Sequence, residues 1–199
     1  MRDLRGDVGR AEQAERTRAA LLLAAAAEFE QRGFAATSLT DVSDRLGLVR
    51  ATVHFHFATK KALAQALVAH LDQVWHQIRD RSADEVGRAG SNDEAGVGLA
   101  RLRWESEQVL DGYRTDARQR AGLRLAIEPE LAAETPDLAA DWVRHVGELL
   151  APAGRSGAAP MIVQTFAGVV IFSARETEIA TREIAQRYWA GLAAAVGPT

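Results

Sequence analysis

Six side chains between positions 50 and 56 combine a cation, hydrogen-bonding groups and an aromatic ring. They are Arg50, Ala51, Thr52, His54, Phe55 and His56. The apolar residues Val49, Val53 and Phe57 recur at helical spacing, so they predict a short helix whose buried stripe lies opposite this set. Because such an outer face has no core to fill and can bond to base edges and phosphates, it is typical of a helix that lies in a major groove.

A second short helix is predicted immediately before this one. Thr37 or Ser38 can cap its first turn, because a hydroxyl oxygen can accept from the free N–H groups there. Its apolar residues share one face: Leu39, Val42 and Leu46. Gly47 ends it, since glycine suits the left-handed position after a helix. Two short helices joined by such a turn form a helix-turn-helix, whose second helix can enter a major groove.

Two lysines, the only ones in the chain, begin the next predicted helix. Thr59 is placed to cap that helix, so Lys60 and Lys61 fall in its first turn. Cations there oppose the helix dipole, at a cost of about 0.3–1 kcal/mol each. The pattern therefore indicates a site offered to an anion such as a DNA phosphate. Two solvated surface lysines are the alternative interpretation.

Composition bounds the class of protein. The chain has 199 residues, a net charge of −3 and no cysteine. The absence of cysteine excludes disulfides and thiolate metal sites, and the net charge excludes a generic nucleic-acid coat, so positive charge must be local. The charged N-terminus lacks the apolar core of a signal peptide, and the most apolar stretch, 159–174, is too short to span a bilayer comfortably. We expect a soluble, cytoplasmic protein with no cofactor and no membrane contact.

Helical patterns continue along the whole chain, with no alternating β pattern. We predict further helices at 14–32, 60–86, 97–110, 116–127, 136–150, 159–174 and 177–196, and a loop at 87–98. The predicted fold class is all-α, with an N-terminal three-helix DNA-binding domain and a C-terminal helical domain for ligand binding and dimerisation. The predicted boundaries are 1–13 for a flexible arm, 14–60 for the helix-turn-helix domain and 61–199 for the second domain.

No constellation for catalysis or metal binding emerges. His54 and His56 lie about 200° apart around a helix, so they cannot share an ion. His145 has only Glu148 at one i,i+3 spacing, which is too little for a metal site. The chain has no G-x-S-x-G elbow and no strand followed by G-x-G-x-x-G. We predict no catalytic residue and no metal; an all-helical enzyme, which would turn over a substrate without DNA, is the alternative.

The last two predicted helices suit a dimer interface. The helix at 159–174 carries apolar residues on nearly all sides: Met161, Ile162, Val163, Phe166, Val169, Val170, Ile171 and Phe172. A helix that is apolar all round has no solvent face in a monomer, and Ala167 and Gly168 offer a small patch for close approach. A symmetric four-helix interface between two copies would use this helix and the amphipathic one at 177–196. A central helix within one domain is the alternative.

Another set of residues combines apolar surface with a few polar anchors, as small-molecule sites do. The candidate ligand-binding residues are Trp104, Gln108, Leu123, Ile127, Trp142, Val146, Thr165 and Phe166. Ordinary core packing is the alternative for each of them.

A resemblance to the TetR family of transcriptional repressors is carried by the block RTRAALLLAAAAEFEQRGFAATSLTDVSDRLGLVRATVHFHFATKKALAQAL. This block, from about Arg16 to Leu67, is similar to the family's DNA-binding domain. The resemblance implies a homodimer that binds pseudo-palindromic double-stranded operator DNA and responds to a small-molecule effector. By position in the family's motif, the residues that would meet base edges are Arg50, Ala51, Thr52 and Phe55. Those that would hold phosphates are Thr37, Thr40, His54 and Lys60.

Two residues depart from the family's pattern. Val49 stands where a capping serine or threonine is common, so the recognition helix would start uncapped. His54 stands where a phosphate-binding tyrosine is usual. Because a protonated His54 would hold a phosphate by charge, we expect operator affinity to fall as the pH rises and the ring loses its proton. Equal affinity at acidic and alkaline pH would exclude this role.

Three shorter matches are similar to one branch of the family, the receptors for γ-butyrolactones and related autoregulators. They are FHF ending at Phe57, AGLRL at Ala121–Leu125 and the pair Asp141–Trp142. In that branch a tryptophan near the start of the corresponding helix stacks on the ligand, which implies this role for Trp142. The resemblance further implies that Thr165 or Gln108 bonds to a lactone oxygen.

The branch implies a repressor that a γ-butyrolactone, butenolide or furan signal releases from DNA, controlling genes of secondary metabolism. Ligand binding would favour a dimer whose recognition helices no longer match successive major grooves, and the fourth helix would carry the shift. One alternative is a regulator of efflux or catabolism that senses an unrelated hydrophobic compound. Another is a constitutive or antibiotic-sensing relative whose pocket no longer takes the lactone.

Overall fold

The computed structural model describes residues 4–87, 93–173, 183 and 185–192. Every regular element within those ranges is helical, as predicted for an all-α chain. None of the helices in these ranges combines the length and the apolar character that crossing a bilayer requires.

The α-helices are numbered α1 to α8 in chain order. Their bounds are α1 Leu4–Ala36, α2 Leu39–Leu46, α3 Arg50–His56, α4 Lys60–Gly87, α5 Glu94–Thr115, α6 Ala117–Ala126, α7 Leu138–Leu150 and α8 Ala159–Ser173. Two short 3₁₀ helices, Ala151–Ala153 and Ser156–Ala158, join α7 to α8. Residues 185–192, named here the terminal segment, are also helical. The rest of the helix predicted at 177–196, apart from residue 183, lies outside the described residues.

Contacts group the chain into two compact units. Unit 1 holds residues up to 71 together with 117–136, and unit 2 holds 72–116 together with the residues from 137 onward. Helix α6 therefore belongs with the helix-turn-helix, whereas the sequence pattern predicts a single boundary at residue 60. Helix α4 runs through this division, so its first part belongs to unit 1 and the remainder to unit 2.

Helix α1 begins at Leu4, earlier than the predicted start at residue 14. Residues 4–13, for which we predicted a flexible arm, continue the helix, and residues 1–3 lie outside the described ranges. No proline interrupts this stretch, and a glycine there weakens a helix by only about 1 kcal/mol relative to alanine. At the other end Gly33 adopts φ 77° and ψ 174°, which turns the chain out of the helix at the predicted place.

Unit 1 has a core of its own, to which α1, α2, α3 and α4 contribute. Its buried apolar residues include Leu21, Phe29, Val42, Val53, Leu63 and Leu67. Helix α6 packs against α1, where Arg120 Nε donates to Glu30 Oε1 at 2.6 Å. Gly122 lets α6 approach α4, since an added Cβ there would lie 2.9 Å from the carbonyl oxygen of Leu67. Helix α1 therefore packs against α2 of the helix-turn-helix, and α6 packs against α1 and α4.

Unit 2 is a bundle in which α5, α7 and α8 pack against one another. Its buried apolar residues include Leu102, Val109, Val146, Leu150 and Ile162. Helix α5 begins at Glu94, inside the predicted loop 87–98, of which residues 88–92 lie outside the described ranges. Gly98 is buried, and an added Cβ there would collide with the carbonyl oxygen of Leu149. Gly98, which the sequence pattern placed in a loop, therefore allows α5 and α7 to pack closely.

Candidate functional site

Helix α2, the first of the helix-turn-helix, is closed at both ends as the sequence predicted. The Ser38 hydroxyl accepts from the Asp41 N–H at 3.2 Å, and the Asp41 carboxylate accepts from the Ser38 N–H at 2.8 Å. These Ser38 bonds, aided by Arg32, hold the pKa of Asp41 below its usual value. Gly47 follows the helix with φ 63°, in the left-handed region that favours glycine. The turn therefore starts α3 from a well-defined point.

Helix α3 presents most of its side chains to solvent. Its exposed residues are Arg50, Ala51, His54 and Phe55, and its half-buried ones are Thr52 and His56. Phe55 is 82% exposed, whereas Val53 is fully buried. The prediction that Val49 joins the buried stripe is wrong, because Val49 is 71% exposed. Its backbone is extended and precedes the helix as an N-cap residue without a side-chain bond, as the missing serine or threonine suggested.

Arg50 and His54 are bonded to each other across one turn of α3. Arg50 Nε donates to His54 Nε2 at 3.1 Å. A ring nitrogen can accept only when it carries no proton, so this bond requires a neutral imidazole with its proton on Nδ1. The arrangement differs from the expected one, in which a protonated His54 holds a phosphate.

Thr37 and Thr40, both predicted to hold phosphates, have different surroundings. Thr40 is exposed. Thr37 is only 3% exposed, and its hydroxyl donates to the carbonyl oxygen of Gly33 at 2.8 Å. The Thr37 hydroxyl is therefore engaged at the end of α1, so of these two threonines Thr40 is the one whose side chain is exposed to a phosphate.

The two lysines at the start of α4 are both bound within unit 1. Lys60 Nζ donates to the carbonyl oxygen of Phe34 at 2.7 Å and lies 4.5 Å from the centre of the Phe34 ring. Lys61 Nζ donates to Glu134 Oε1 at 2.6 Å. The Lys61 bond, followed by one from Gln65, keeps the pKa of Glu134 below its usual value. Lys60 Nζ also donates to the carbonyl oxygen of Ala35 at 3.1 Å. Since an ammonium group has three N–H donors, Lys60 keeps one and Lys61 keeps two for a phosphate.

One cation near the recognition helix was not among the residues predicted to contact DNA. The guanidinium carbon of Arg18, on α1, lies 4.5 Å from the centre of the Phe57 ring, at the end of α3. Arginine stacks on aromatic faces while its N–H groups stay available. Arg18 and Phe57 are 39 positions apart, so no local sequence pattern links them, and only the folding of unit 1 brings the two side chains together.

The predicted ligand-binding residues are divided between the two units. Leu123 and Ile127 belong to unit 1, and the other six belong to unit 2. Ile127 is 75% exposed at the end of α6. Within unit 2 the residues lie on three helices that pack together, with Trp104 and Gln108 on α5, Trp142 and Val146 on α7, and Thr165 and Phe166 on α8.

Trp142 is the centre of an aromatic and cationic cluster in unit 2. Its ring meets the edge of Trp75 at 5.4 Å between centres, and the Arg79 guanidinium carbon lies 4.8 Å from it. Among the described residues, three buried donors here have no hydrogen-bond acceptor: Nε1 of Trp75, Nε1 of Trp142 and Nε of Arg79. Unsatisfied buried polar atoms are uncommon in proteins and ask for an explanation.

A buried carboxylate lies beside this cluster and was also missed. Glu105 is fully buried, and His145 Nε2 lies 2.7 Å from its Oε2. Ser82 donates to Oε1, and Arg101 Nη2 lies 3.6 Å from the same oxygen. Glu148, the partner considered from sequence, is not the one used, because Glu105 reaches His145 from another helix. These bonds satisfy Glu105, as a buried charge requires.

The polar groups predicted on α8 are used locally. The exposed hydroxyl of Thr165 donates to the carbonyl oxygens of Met161 and Ile162, the latter at 3.4 Å. Phe166 contacts Tyr188 and Trp189 of the terminal segment, with ring centres 6.1 and 6.3 Å apart. Burial raises the pKa of Tyr188, whose hydroxyl donates to the Ile162 carbonyl oxygen at 3.0 Å. Thr165 therefore has its donor engaged.

Three side chains of unit 2 lie close enough to suggest a metal, but their charges oppose one. The ligating atoms of Asp72, His76 and Asp141 lie within 4.8 Å of one another. Both carboxylate oxygens of Asp141 already accept from arginines, Arg79 and Arg144. A cation there would meet two guanidinium groups, so we do not assign this cluster as a metal site.

Comparison with known proteins shows which family the sequence resembles. Residues 21–67 match the N-terminal domain of "Bacterial regulatory proteins, tetR family". The chain is 32% identical over 133 residues to the HTH-type transcriptional repressor Rv3405c of Mycobacterium tuberculosis, covering 60% of this chain and 71% of that protein. It is 25% identical over 160 residues to the A-factor receptor protein of Streptomyces griseus, covering 75% of this chain and 52% of that one.

A solved structure resembles the fold. CprB, a TetR family protein of Streptomyces coelicolor determined in complex with its biological operator sequence, superposes with a TM-score of 0.64 at 26% identity, covering 76% of each chain. The chain spans only about half the length of several relatives, 48% for two Pseudomonas putida regulators. The named relatives are regulators and a receptor, which confirms the expectation of a regulatory protein rather than an enzyme. The chain belongs to the TetR family of bacterial regulatory proteins.

Proposed function

We propose that the protein is a transcriptional repressor that binds operator DNA as a homodimer and is released from it by a small molecule. The outer face of α3 is the observation that carries this proposal. Four of its seven residues are exposed, including an arginine and a phenylalanine, while a single buried valine anchors the helix. An aromatic ring that is 82% exposed beside hydrogen-bonding groups on one helix face is the combination that contacts with base edges in a major groove use.

The base contacts that we propose come from α3. Arg50 pairs with a guanine through two N–H groups, the commonest specific contact in a major groove. Phe55, Ala51 and Thr52 offer apolar and hydroxyl contacts to neighbouring bases, such as a thymine methyl group. Thr40 and Lys60 hold phosphates on either side. The family's pattern assigns His54 to a phosphate, whereas in the structure its Nε2 accepts a hydrogen bond from Arg50.

A homodimer follows from the geometry of operators and from the surface of α8. Two recognition helices read successive major grooves only if they lie about 34–36 Å apart, which a two-fold dimer provides. On α8, Met161 is 63% exposed and Ile171 is 54% exposed. We propose that α8 and the terminal segment cover this apolar surface with a second copy. Sedimentation equilibrium tests this, with Met161→Glu expected to weaken the dimer and a monomeric wild type overturning the proposal.

The unsatisfied donors of unit 2 support a class of effector. Trp75, Arg79 and Trp142 offer N–H groups only, and the neighbouring Glu105 is already bound by three side chains. A ligand with an acceptor oxygen would satisfy the donors, whereas a cationic ligand would find no free carboxylate from Glu105. We propose that the effector presents a carbonyl or ring oxygen, as γ-butyrolactones, butenolides and furans do. The similarity to the A-factor receptor supports the same choice.

The effector acts, in this proposal, through helix α4. Trp75 and Arg79 lie on the same helix that begins with Lys60 beside the recognition helix. An oxygen bonded to these two residues would change the preferred position of α4 and thereby the spacing of the recognition helices. A differential affinity of a few kcal/mol between two dimer states is enough for release.

Tryptophan fluorescence tests the ligand class directly. We expect a long-chain acyl γ-butyrolactone to change the emission on titration, and an alkyl quaternary ammonium ion of equal length to leave it unchanged. Trp142→Phe keeps an aromatic ring and removes the N–H, so lactone affinity should fall while the stability of the free protein is retained. Trp189→Phe is the matched control, since its indole N–H is also buried and without an acceptor among the described residues.

The panel also separates the alternatives. Binding of the ammonium ion and not of the lactone would favour a regulator that senses an unrelated hydrophobic compound. Binding of neither, with specific DNA binding intact, would favour a constitutive or antibiotic-sensing relative of the lactone receptors. Substrate turnover without DNA binding would restore the enzyme alternative.

A further inference from the structure

We infer that His54 is a positioning residue for base recognition, which holds the Arg50 guanidinium in the orientation that reads guanine. This inference rests on the proposed DNA-binding function. It assigns His54 a different role from the tyrosine that usually stands there, since a tyrosine hydroxyl is suited to a phosphate. The new role concerns which base is preferred, whereas a phosphate contact affects all sequences alike.

The geometry of the pair carries the inference. Arg50 and His54 are four residues apart on α3 and both are exposed, so their bond faces the side on which DNA would lie. The 3.1 Å bond uses only Nε of Arg50. The two terminal nitrogens, Nη1 and Nη2, keep their N–H groups for the O6 and N7 atoms of one guanine. A phosphate contact by His54 Nε2 would have to break this bond.

No other described group competes for Arg50. Within the described ranges, no carboxylate forms an ion pair with its guanidinium. On α2, the helix packed against α3, Asp41 is bound to Arg32 and Arg45 is bound to Glu28, while Asp44 is exposed. His54 is therefore the one described side chain that restrains Arg50. An arginine held in advance loses less conformational freedom on binding, which sharpens its preference for the correct base.

The other histidine of α3, His56, is half-buried with its ring against Phe55, so it does not share the bond with Arg50.

The test selects bound sequences from a randomised duplex library with the full-length protein. The wild type should enrich a two-fold motif with a guanine at one position of each half-site. His54→Ala should lower the preference for that guanine by about fivefold or more, the lower end of what one bidentate pair contributes. His54→Gln should restore it, because its amide oxygen can accept from Arg50 Nε.

Two further readouts separate positioning from a phosphate contact. With one selected duplex, His54→Ala should leave the slope of log affinity against log salt unchanged, whereas loss of a phosphate contact would reduce it by about 0.9 per contact. In an Arg50→Ala background, His54→Ala should have no further effect on base preference.

Two outcomes would overturn the positioning role of His54, and a third would overturn DNA reading by α3. An unchanged motif with His54→Ala and a reduced salt slope would overturn the positioning role and restore the phosphate contact. Failure of His54→Gln to restore the guanine preference would overturn it as well. No enriched motif with the wild type would overturn the proposed DNA reading itself, and with it this inference.

Discussion

Polar side chains are exposed to solvent on the helix-turn-helix, whereas in the interior of unit 2 they are buried and paired with one another. On α3, Arg50 and Phe55 face solvent while one valine anchors the helix. In unit 2, Glu105 is fully buried and bound by three side chains from other parts of the unit and from its own helix. An exposed polar group without a protein partner is hydrated, so it costs little free energy and remains available to a binding partner. A charge placed inside must be paired, so it contributes to the fold only while every partner is present.

This contrast predicts that substitutions separate into two groups. Those in unit 2 should change the free energy of unfolding, and those on the outer face of α3 should change DNA binding with the fold intact. The four predictions that follow run from the largest expected effect to the smallest.

Glu105→Ala should have the largest effect. It removes the carboxylate that His145, Ser82 and Arg101 share, and breaking such a buried network by removing one member costs about 3–5 kcal/mol in unfolding free energy. Urea denaturation followed by circular dichroism measures the loss. Glu107→Ala is the matched control on the same helix, because Glu107 pairs with Arg103 at the surface and should cost less than about 1 kcal/mol. Equal losses in the two variants would show that the buried network contributes no more to the unfolding free energy than a surface ion pair does.

Gly98→Ala should destabilise unit 2 by about 1–3 kcal/mol, because the new Cβ would collide with the carbonyl oxygen of Leu149. Backbone on the facing helix cannot move aside as a flexible side chain can. Gly147→Ala is the control on α7, since its Cβ would lie 3.8 Å from that of Ala159, an ordinary contact. That control should be neutral or should stabilise by up to about 1 kcal/mol. Thermal unfolding of both variants checks the pair, and a stable Gly98→Ala would contradict the close packing of α5 on α7.

Arg50→Ala should leave the fold within about 0.5 kcal/mol of the wild type, as exposed substitutions usually do. Its loss should reduce discrimination for one guanine by about 1–3 kcal/mol. Fluorescence anisotropy measures the affinity for a selected duplex and for its single-base variants, and the ratio of these affinities gives the discrimination. Arg103→Ala, which removes an exposed arginine from α5, should change neither quantity. Destabilisation by Arg50→Ala would break the separation between the two regions.

Asp141 should make a small, pH-dependent contribution. Burial raises its pKa, but the bonds and charges of Arg79 and Arg144 outweigh burial, so the folded-state pKa lies below the ordinary 3.8. The unfolded chain then binds the proton first as the pH falls, so this stability is present above about pH 4 and is lost as the pH drops through the folded-state pKa. Asp141→Asn should lower the unfolding free energy at pH 6 and flatten its decline in acid. Urea titrations at several pH values check this, and parallel curves for the two proteins would exclude it.

Local signals explain what the sequence predicted well. A helix cap depends on residues within about four positions of it, so Ser38, Gly47 and Thr59 correctly predicted where their helices begin or end. The start of α4 at Lys60 and its course to Gly87 followed from the same kind of pattern. The helix-turn-helix was therefore predictable, although its contacts with DNA remain predictions.

Long-range partners explain what was missed. Lys61 meets Glu134, which is 73 positions away, and His145 meets Glu105, which is 40 positions away. No spacing rule links such pairs, because packing alone brings them together. The prediction that Val49 is buried was wrong for a different reason. Hydrophobic spacing alone does not show that Val49 lies one position before the helix, where its side chain is exposed.

Release of DNA by a ligand tests the central claim most directly. The measurement is the affinity of the full chain for the DNA upstream of its own gene, at fixed salt, with and without a panel of γ-butyrolactones, butenolides and furans. We predict specific binding that at least one of these oxygen-bearing ligands abolishes in the wild type and not in Trp142→Phe. Specific binding that no ligand of the panel weakens would contradict the effector class, and the absence of specific binding would contradict the repressor.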